Sequence, residues 1–219
     1  MYKYKLIRSH RRTICLSITQ DAHLVVKAPI SVSMQYIENF VIEKQRWINK
    51  KLAEMRARPK AKPKTYENGE EFLYLGKTYQ LRIAPAKIPV QLKDELVIST
   101  EVWPRHKEAV KKWYKSESAR IIGDRCKIYA KIMNCSPKSI RISHAMKRWG
   151  SCTSRGKLNF SWRLIMTPVE IIDYVIVHEL AHLHHLNHSR SFWETVKNTI
   201  PDYKKREHWL KENNNLLNL

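Results

Sequence analysis

The sequence is short of several features, and each shortage excludes a class of protein. No apolar run approaches the roughly 18 residues that a membrane-spanning helix needs, and the most apolar stretch, residues 169–177, contains Glu170 and Asp173. The first residues mix Lys with Tyr and lack the uninterrupted apolar core of a signal peptide. We therefore expect a globular, cytoplasmic protein that has no membrane partner.

Cysteine is sparse as well. The four cysteines, Cys15, Cys126, Cys135 and Cys152, include no C-x-x-C pair. In a cytosolic protein of this size such thiols stay reduced, so the sequence predicts no disulfide framework.

Acidic residues are outnumbered about two to one. The 219 residues include 41 Lys and Arg against 20 Asp and Glu, which gives a formal net charge of +21. Such an excess favours polyanionic partners or anionic substrates, because it creates a positive field over the surface. No zinc-finger, helix-turn-helix or RNP motif is present that would read a base sequence. The charge therefore predicts only a non-specific attraction to nucleic acid or to nucleotides.

The feature around which the chain is organised is an H-E-x-x-H motif at residues 178–182. The motif lies at the end of an apolar segment. At the start of that segment, Thr167, Pro168 and Glu170 are expected to form a capping box. The pattern predicts one helix that begins near Pro168 and continues to at least about residue 186.

The motif predicts a metal site. His178 and His182 are four positions apart, so a helix places both imidazoles on one face, where they can bind one Zn²⁺. Glu179 is offset by one position and can reach a water on the metal without being a ligand. His188 follows His178 by ten residues, the spacing of the third ligand in zinc enzymes with the longer motif H-E-x-x-H-x-x-G-x-x-H.

The longer motif is matched with departures. Its Gly is replaced by His185, so we expect Asn187, which tolerates a left-handed conformation, to make the turn. No Met-turn follows. Glu194 is an alternative third ligand, whereas His184 and His185 are expected at the surface or behind the ligands. Cys152 is not counted among the ligands.

The rest of the chain is strand-rich at first and mixed later, and its character changes at Pro104. We expect an N-terminal region at 1–100 with one helix, and a metallohydrolase domain at 101–219. The predicted elements are strands at 13–19 and 24–28, a helix over 33–58, a basic linker at 56–64, strand pairs at 72–83 and 88–99, a helix at 105–133, strands at 139–143 and 157–163, a helix capped by Ser189, and a last helix at 202–212.

Three segments together resemble the YgjP-like metallopeptidase family, which is related to the SprT and Wss1-like (WLM) zincins. They are Arg-Trp-Gly-Ser-Cys at 148–152, the apolar run into the H-E-x-x-H motif at 174–182, and Asn-His-Ser-Arg-Ser-Phe-Trp at 187–193. Weaker similarities at 46–48 and 75–79 extend the resemblance over nearly the whole chain.

The resemblance implies an α+β fold in which a strand-rich N-terminal part precedes a zincin-like part, with the H-E-x-x-H helix packed beside a small sheet. It also implies His178, His182 and His188 as zinc ligands and Glu179 as the catalytic acid and base. It leaves the substrate open, because a fold supports several chemistries.

Three functions remain compatible with these residues. The leading hypothesis is a zinc peptidase acting on polypeptides, in which Glu179 takes the proton of the attacking water, and Arg148, Trp149, Ser151 and Glu194 lie near the substrate or the ligands. The second is a metal-dependent hydrolase of nucleoside triphosphates such as UTP, although the sequence contains no Gly-rich phosphate loop. The third is a basic nucleic-acid-binding protein with a structural metal. The sequence does not indicate an oligomeric state.

Overall fold

The computed structural model describes residues 3–19, 21–57, 64–146 and 148–213. The chain divides into two compact units, Met1–Lys60 and Ala61–Leu219. Most of the predicted basic linker, residues 58–63, lies outside the described residues.

The first unit contains a three-stranded sheet in the order β1-β3-β2. Strands β2 (Cys15–Ile18) and β3 (Leu24–Pro29) form the predicted antiparallel hairpin. Strand β1 (Tyr4–Ser9), which the sequence analysis missed, pairs with β3 in parallel. Polar and apolar residues do not alternate strictly along it, so its role as a strand depends on a partner that is distant in sequence.

Two helices complete this unit, where the sequence predicted one. Ser33 caps α1 (Met34–Glu43) as expected, but the helix ends at Lys44 and a second helix, α2 (Gln45–Ala57), follows. Neither Gly nor Pro marks the break, which is why periodicity alone did not show it. The buried apolar side chains of the unit come from β3 and both helices: Leu24, Val26, Ala28, Ile37, Val41 and Ile48.

The second unit begins with a four-stranded sheet in the order β4-β5-β7-β6. Strands β4 (Glu71–Tyr74) and β5 (Lys77–Ala84) form one predicted hairpin, and β6 (Val90–Leu92) and β7 (Leu96–Ser99) form the other. A parallel pairing of β5 with β7 joins the two hairpins into one sheet.

The sequence-based division at residue 100 lies inside this second unit. Phe72, Leu81 and Ile98 of the four-stranded sheet are buried in the same apolar core as Tyr114 and Ile172. Because these side chains share one core, residues 64–99 pack with the part of the chain that carries the H-E-x-x-H motif.

A long helix and a second small sheet follow. The 3₁₀ turn Thr100–Arg105 leads into α3 (His106–Ile132), close to the predicted bounds. Strand β8 (Ser139–Ser143) pairs in parallel with β10 (Lys157–Ser161). Strand β9 (Gly150–Cys152) pairs antiparallel with β10 and is an edge strand, because the order of the sheet is β8-β10-β9.

The central helix of this unit, α4 (Val169–Ala181), packs against α3 and β9. The predicted capping box at its start is wrong. The hydroxyl of Thr167 donates to the carbonyl of Leu164 at 2.8 Å, and Pro168 occupies the cap position without a side-chain hydrogen bond. The preceding residues, Trp162–Met166, form a buried 3₁₀ turn, so the start of α4 is set by the core and not by a cap.

Two further helices complete the second unit. Helix α5 (Arg190–Thr199) is capped by Ser189 as predicted, whose hydroxyl accepts from the main-chain N–H of Phe192. Helix α6 (Tyr203–Asn213) agrees with the predicted last helix. The α+β class, with the motif helix beside a small sheet, is confirmed. None of the helices in the described segments has the length and hydrophobicity needed to cross a bilayer.

Candidate active site

Three histidine rings meet at the end of α4. The side chains of His178, His182 and His188 bring one ring nitrogen each within 4.8 Å of one another. The Nε2 atoms of His178 and His188 are 3.1 Å apart. Ring nitrogens that converge in this way can direct their lone pairs at one point, and a set of three imidazoles suits Zn²⁺. The residues therefore fit a metal ion of this class.

The electrostatics of the cluster favour ligation. Burial, together with the neighbouring rings of His182 and His188, lowers the pKa of His178 to about 4. Burial also lowers the pKa of His182. Neutral imidazole is the form that binds a metal, so these two rings need not lose a proton first at neutral pH.

The chain leaves α4 directly after Ala181, so the predicted continuation to residue 186 is wrong. The carbonyl of Ala181 accepts from the main-chain N–H groups of both His184 and His185, and the chain then turns toward His188. The predicted left-handed turn at Asn187 is also wrong. In the described segments the non-glycine residues with positive φ lie elsewhere, at Ala22, Tyr66, Leu75 and Asn134.

The alternative ligands lie outside the three-histidine cluster. The Glu194 carboxylate accepts from the guanidinium of Arg190 at 2.8 Å on an exposed face of α5. His184 Nε2 is 3.2 Å from the carbonyl oxygen of Met133, and His185 Nε2 is 3.2 Å from the hydroxyl of Thr195. His188 is thus the third residue that the structure brings together with the motif.

Glu179 is buried beside the cluster, with 6% of its surface exposed. Burial raises its pKa to about 7, against the opposing effects of Arg148 and of a hydrogen bond from the main chain of Cys152. Within a cleft, a buried carboxyl with a pKa near neutrality can both accept and return a proton.

The close packing of Glu179 depends on Gly150 in strand β9. A Cβ atom at position 150 would lie 2.5 Å from Glu179 Oε1 and 2.6 Å from its Cγ, distances that real Cβ atoms do not show. Sequence reasoning did not single out Gly150. A signal was available, because glycine is rare in this chain and a glycine within a strand marks a close approach.

The cluster opens into a cleft of about 320 Å³. Strand β9 and the residue after it form one wall, and the end of α4 with the following loop forms the other. Of the predicted neighbours, Ser151 lines the cleft. Trp149 instead packs against the guanidinium of Arg163, with 5.3 Å between the guanidinium carbon and the ring centroid. Arg148 is exposed, but it is close enough to Glu179 to oppose the rise of its pKa. The lining residues are Gly150, Ser151, Cys152, Thr153, His178, Glu179, His182, Leu186 and His188.

Phe192 on α5 packs against all three histidines. Its ring centroid lies 5.0 Å from that of His178, 4.6 Å from His182 and 4.7 Å from His188. Phe192 is fully buried. The sequence analysis gave this residue no role at the site, because the docking of α5 decides which of its side chains reaches the histidines.

A buried ion pair connects α4 to α3. The Nε atom of Arg125 donates to Asp173 Oδ1 at 2.6 Å, and its Nη2 donates to Oδ2. The side chain of Asp173 is 7% exposed and that of Arg125 is 30% exposed. The pair fixes the body of α4 one to two turns before the motif.

Comparison with known families identifies the chain. The model of the family described as YgjP-like, metallopeptidase domain, matches residues 12–213. The chain belongs to this family. The resemblance inferred from the sequence is therefore confirmed. As a YgjP-like metallopeptidase, the chain is a hydrolase of a class that depends on a metal ion.

Among solved structures, the crystal structure of the zymogen of the metallopeptidase abylysin from Pyrococcus abyssi is similar to this YgjP-like chain. The two are 23% identical, with 41% of this chain and 90% of that chain covered, and the TM-score is 0.38. None of the curated proteins compared with the chain matches it.

Proposed function

We propose that the protein is a zinc-dependent peptidase in which His178, His182 and His188 hold the ion and Glu179 is the general base. The observation that carries this proposal is the convergence of three imidazoles next to one buried carboxyl group. Family membership supports the peptidase class.

The donor set favours zinc over harder cations. Three imidazole nitrogens suit Zn²⁺ and related transition metals, whereas Mg²⁺ and Ca²⁺ take oxygen ligands. Three protein ligands also leave a coordination position free, as catalytic sites require. When bound, such an ion supplies a Lewis acid that polarises a carbonyl group and makes water nucleophilic at neutral pH.

Glu179 moves the proton. Its carboxylate takes the proton of the attacking water and then delivers it to the nitrogen of the departing amine. The main-chain N–H of Cys152 holds this side chain, and the absence of a side chain at Gly150 leaves room for it. Glu179 is a buried group that can accept and donate a proton, and it lies next to the metal's open coordination position. This arrangement argues against a purely structural metal.

The position of β9 at the edge of its sheet supports an extended polypeptide as the substrate. The main-chain N–H of Ser161 donates to the Trp149 carbonyl, and that of Thr153 donates to the Lys157 carbonyl. Trp149 and Thr153 therefore direct these main-chain groups toward β10. In an antiparallel ladder, Gly150 and Cys152 direct their main-chain groups away from β10, which here is toward the cleft. The N–H of Cys152 bonds Glu179 there, so the Cys152 carbonyl and the main-chain groups of Gly150 are the ones that face a substrate. A peptide can therefore add to this edge as a further strand, an interaction that a nucleotide cannot make.

The proposal is tested with metal analysis and a substrate panel. Purified protein should hold about one zinc per chain, cleave an unfolded protein, lose this activity to a chelator and regain it with zinc. The four nucleoside triphosphates are assayed in parallel. Hydrolysis of a triphosphate without peptide cleavage would replace the peptidase by the pyrophosphohydrolase, and a chain without zinc affinity would end both.

We also propose a weaker, non-specific attraction to nucleic acid, supported by one feature of α3. Lys107, Lys111 and Lys115 follow each other at helical i,i+4 spacing, and no carboxylate of the described residues lies within ion-pair distance of them. Like charges at this spacing destabilise a helix slightly. Binding of a polyanion would relieve this repulsion between the lysines and would release counterions from the polyanion.

A further inference from the structure

The loop between the second and third histidines of the cluster contains a hydrogen bond to a ring nitrogen. His182 Nδ1 lies 3.0 Å from the carbonyl oxygen of His185. A carbonyl can only accept, so the proton of the neutral His182 ring is on Nδ1. Its Nε2 is left with a free lone pair, which is the form a ligand needs.

The same residue, His185, is fastened to α5 by its side chain. Its Nε2 is 3.2 Å from Thr195 Oγ1, and the Thr195 hydroxyl donates to the carbonyl of Ser191 at 3.0 Å. Because that hydroxyl proton is already used, the hydroxyl accepts from the N–H of the His185 ring. His185 is half-buried, whereas His184 and Leu186 on either side of it are exposed.

We propose that the His185–Thr195 hydrogen bond is a positioning contact for the metal site, because it holds the carbonyl that fixes the orientation and tautomer of His182. The inference rests on the proposed role of His182 as a ligand. The longer zinc motif has Gly at the position of His185, and glycine has no side chain with which to anchor the loop. Contacts that orient a ligand in this way typically contribute 10–100-fold to metal affinity.

The chain offers a matched pair of variants. Thr195→Val and Thr199→Val each remove a hydroxyl that donates to the carbonyl four residues earlier in α5, at 3.0 Å and 3.1 Å respectively. Of the two hydroxyls, only that of Thr195 also accepts a hydrogen bond from the His185 ring in the loop. In competition with a chromophoric chelator, Thr195→Val and His185→Ala should bind zinc about 10-fold more weakly or worse, whereas Thr199→Val should match the wild type. Equal affinities for Thr195→Val and Thr199→Val would overturn the inference.

A second measurement separates positioning from simple stabilisation. In metal-free protein, ¹⁵N NMR should show the His182 proton on Nδ1 in the wild type and in Thr199→Val, and a mixture of tautomers in Thr195→Val. A variant that melts earlier but keeps both this tautomer and its zinc affinity would reduce the contact to a structural one and overturn the inference.

The same spectra separate the failure of this inference from the failure of the proposed function. If the wild type binds no zinc, the proposed metal site is wrong, and the effect of Thr195→Val on the tautomer still decides whether the contact orients His182. If the wild type binds zinc and Thr195→Val changes neither affinity nor tautomer, only the positioning contact is wrong.

Discussion

Helix α4 and the loop that follows it supply the same site but are held by different forces. The body of α4, from Ile171 to Val177, is buried on all sides, and burial of its apolar side chains sets its position. Residues 184–190 are exposed except for His185, and hydrogen bonds of histidine rings hold this segment. The core thus places His178 and the main chain of His182, whereas the His182 ring and His188 also depend on contacts of the loop and on Phe192.

The site is therefore robust on its helix side and sensitive on its loop side. Packing of a buried helix is spread over many side chains, so single polar changes in the cleft should leave α4 in place. Single contacts control the loop, so single changes there should alter metal binding without unfolding the protein.

The largest effect is expected from Glu179→Gln on the α4 side. The amide is nearly isosteric and Glu179 is outside the three-histidine cluster, so zinc content should be retained. Loss of the proton acceptor should lower the rate of peptide hydrolysis on the order of 10²–10⁴-fold. Initial rates on an unfolded protein, with elemental analysis of the same sample, check this. A variant that is as active as the wild type would show that another group takes the proton.

His188→Ala should have the next largest effect and tests the loop. It removes one of the three converging nitrogens, so zinc affinity should fall by more than the 10–100-fold that removal of a supporting residue typically costs. Glu194→Ala is the control, because that carboxylate is paired with Arg190 outside the cluster. Chelator competition measures both. If the control loses its zinc and His188→Ala keeps it, the third ligand is Glu194.

Gly150→Ala should disturb Glu179 without removing it. The new methyl group would overlap the carboxyl group, and a displacement of about 1 Å can cost on the order of 10²-fold in rate. Gly123→Ala on α3 is the control, because a Cβ there meets nothing within 4 Å. The rate of Gly123→Ala should match that of the wild type, and its stability should rise slightly. Unchanged activity in Gly150→Ala would show that Glu179 can move aside without loss.

Arg125→Met tests whether the ion pair stabilises α4 in addition to burial. It leaves the Asp173 carboxylate buried beside Tyr129 but without its cation, which should lower the free energy of unfolding by about 3 kcal/mol. Lys127→Met is the control, because its pair with Asp124 is exposed and should contribute less than about 1 kcal/mol. Denaturant unfolding of metal-free protein measures the difference. Equal stabilities would mean that apolar packing alone places α4.

The smallest effect concerns a surface away from the cleft. The double substitution Lys111→Glu and Lys115→Glu on α3 should weaken binding of duplex DNA at low salt and reduce the salt dependence of binding. The log–log slope should change by roughly 0.9 for each phosphate that the variant no longer neutralises. Fluorescence anisotropy at several salt concentrations measures this. If the variant shows the same slope as the wild type, other cations bind the DNA and the prediction for these two lysines is wrong.

Several parts of the fold could be predicted from local sequence patterns. The hairpins, α3, α5 and the site residues on α4 were predicted because apolar period, turn residues and ligand spacing all act within a few residues. Strand β1 was missed because its pairing partner is about twenty residues away and its own polar and apolar residues do not alternate strictly. The capping box failed because the core around Trp162–Met166, and not the cap, decides where α4 begins.

From the sequence alone, the family could be identified, and the residues proposed to bind the metal and to move the proton could be named. Spacing on one helix is a local property, so His178, Glu179 and His182 could be read directly. The end of α4 at Ala181, the space that Gly150 leaves for Glu179, the packing of Phe192 on the histidines and the contact of Thr195 with His185 depend on the tertiary structure. These contacts join segments that lie apart in the chain, and they exist only once the core has brought those segments together.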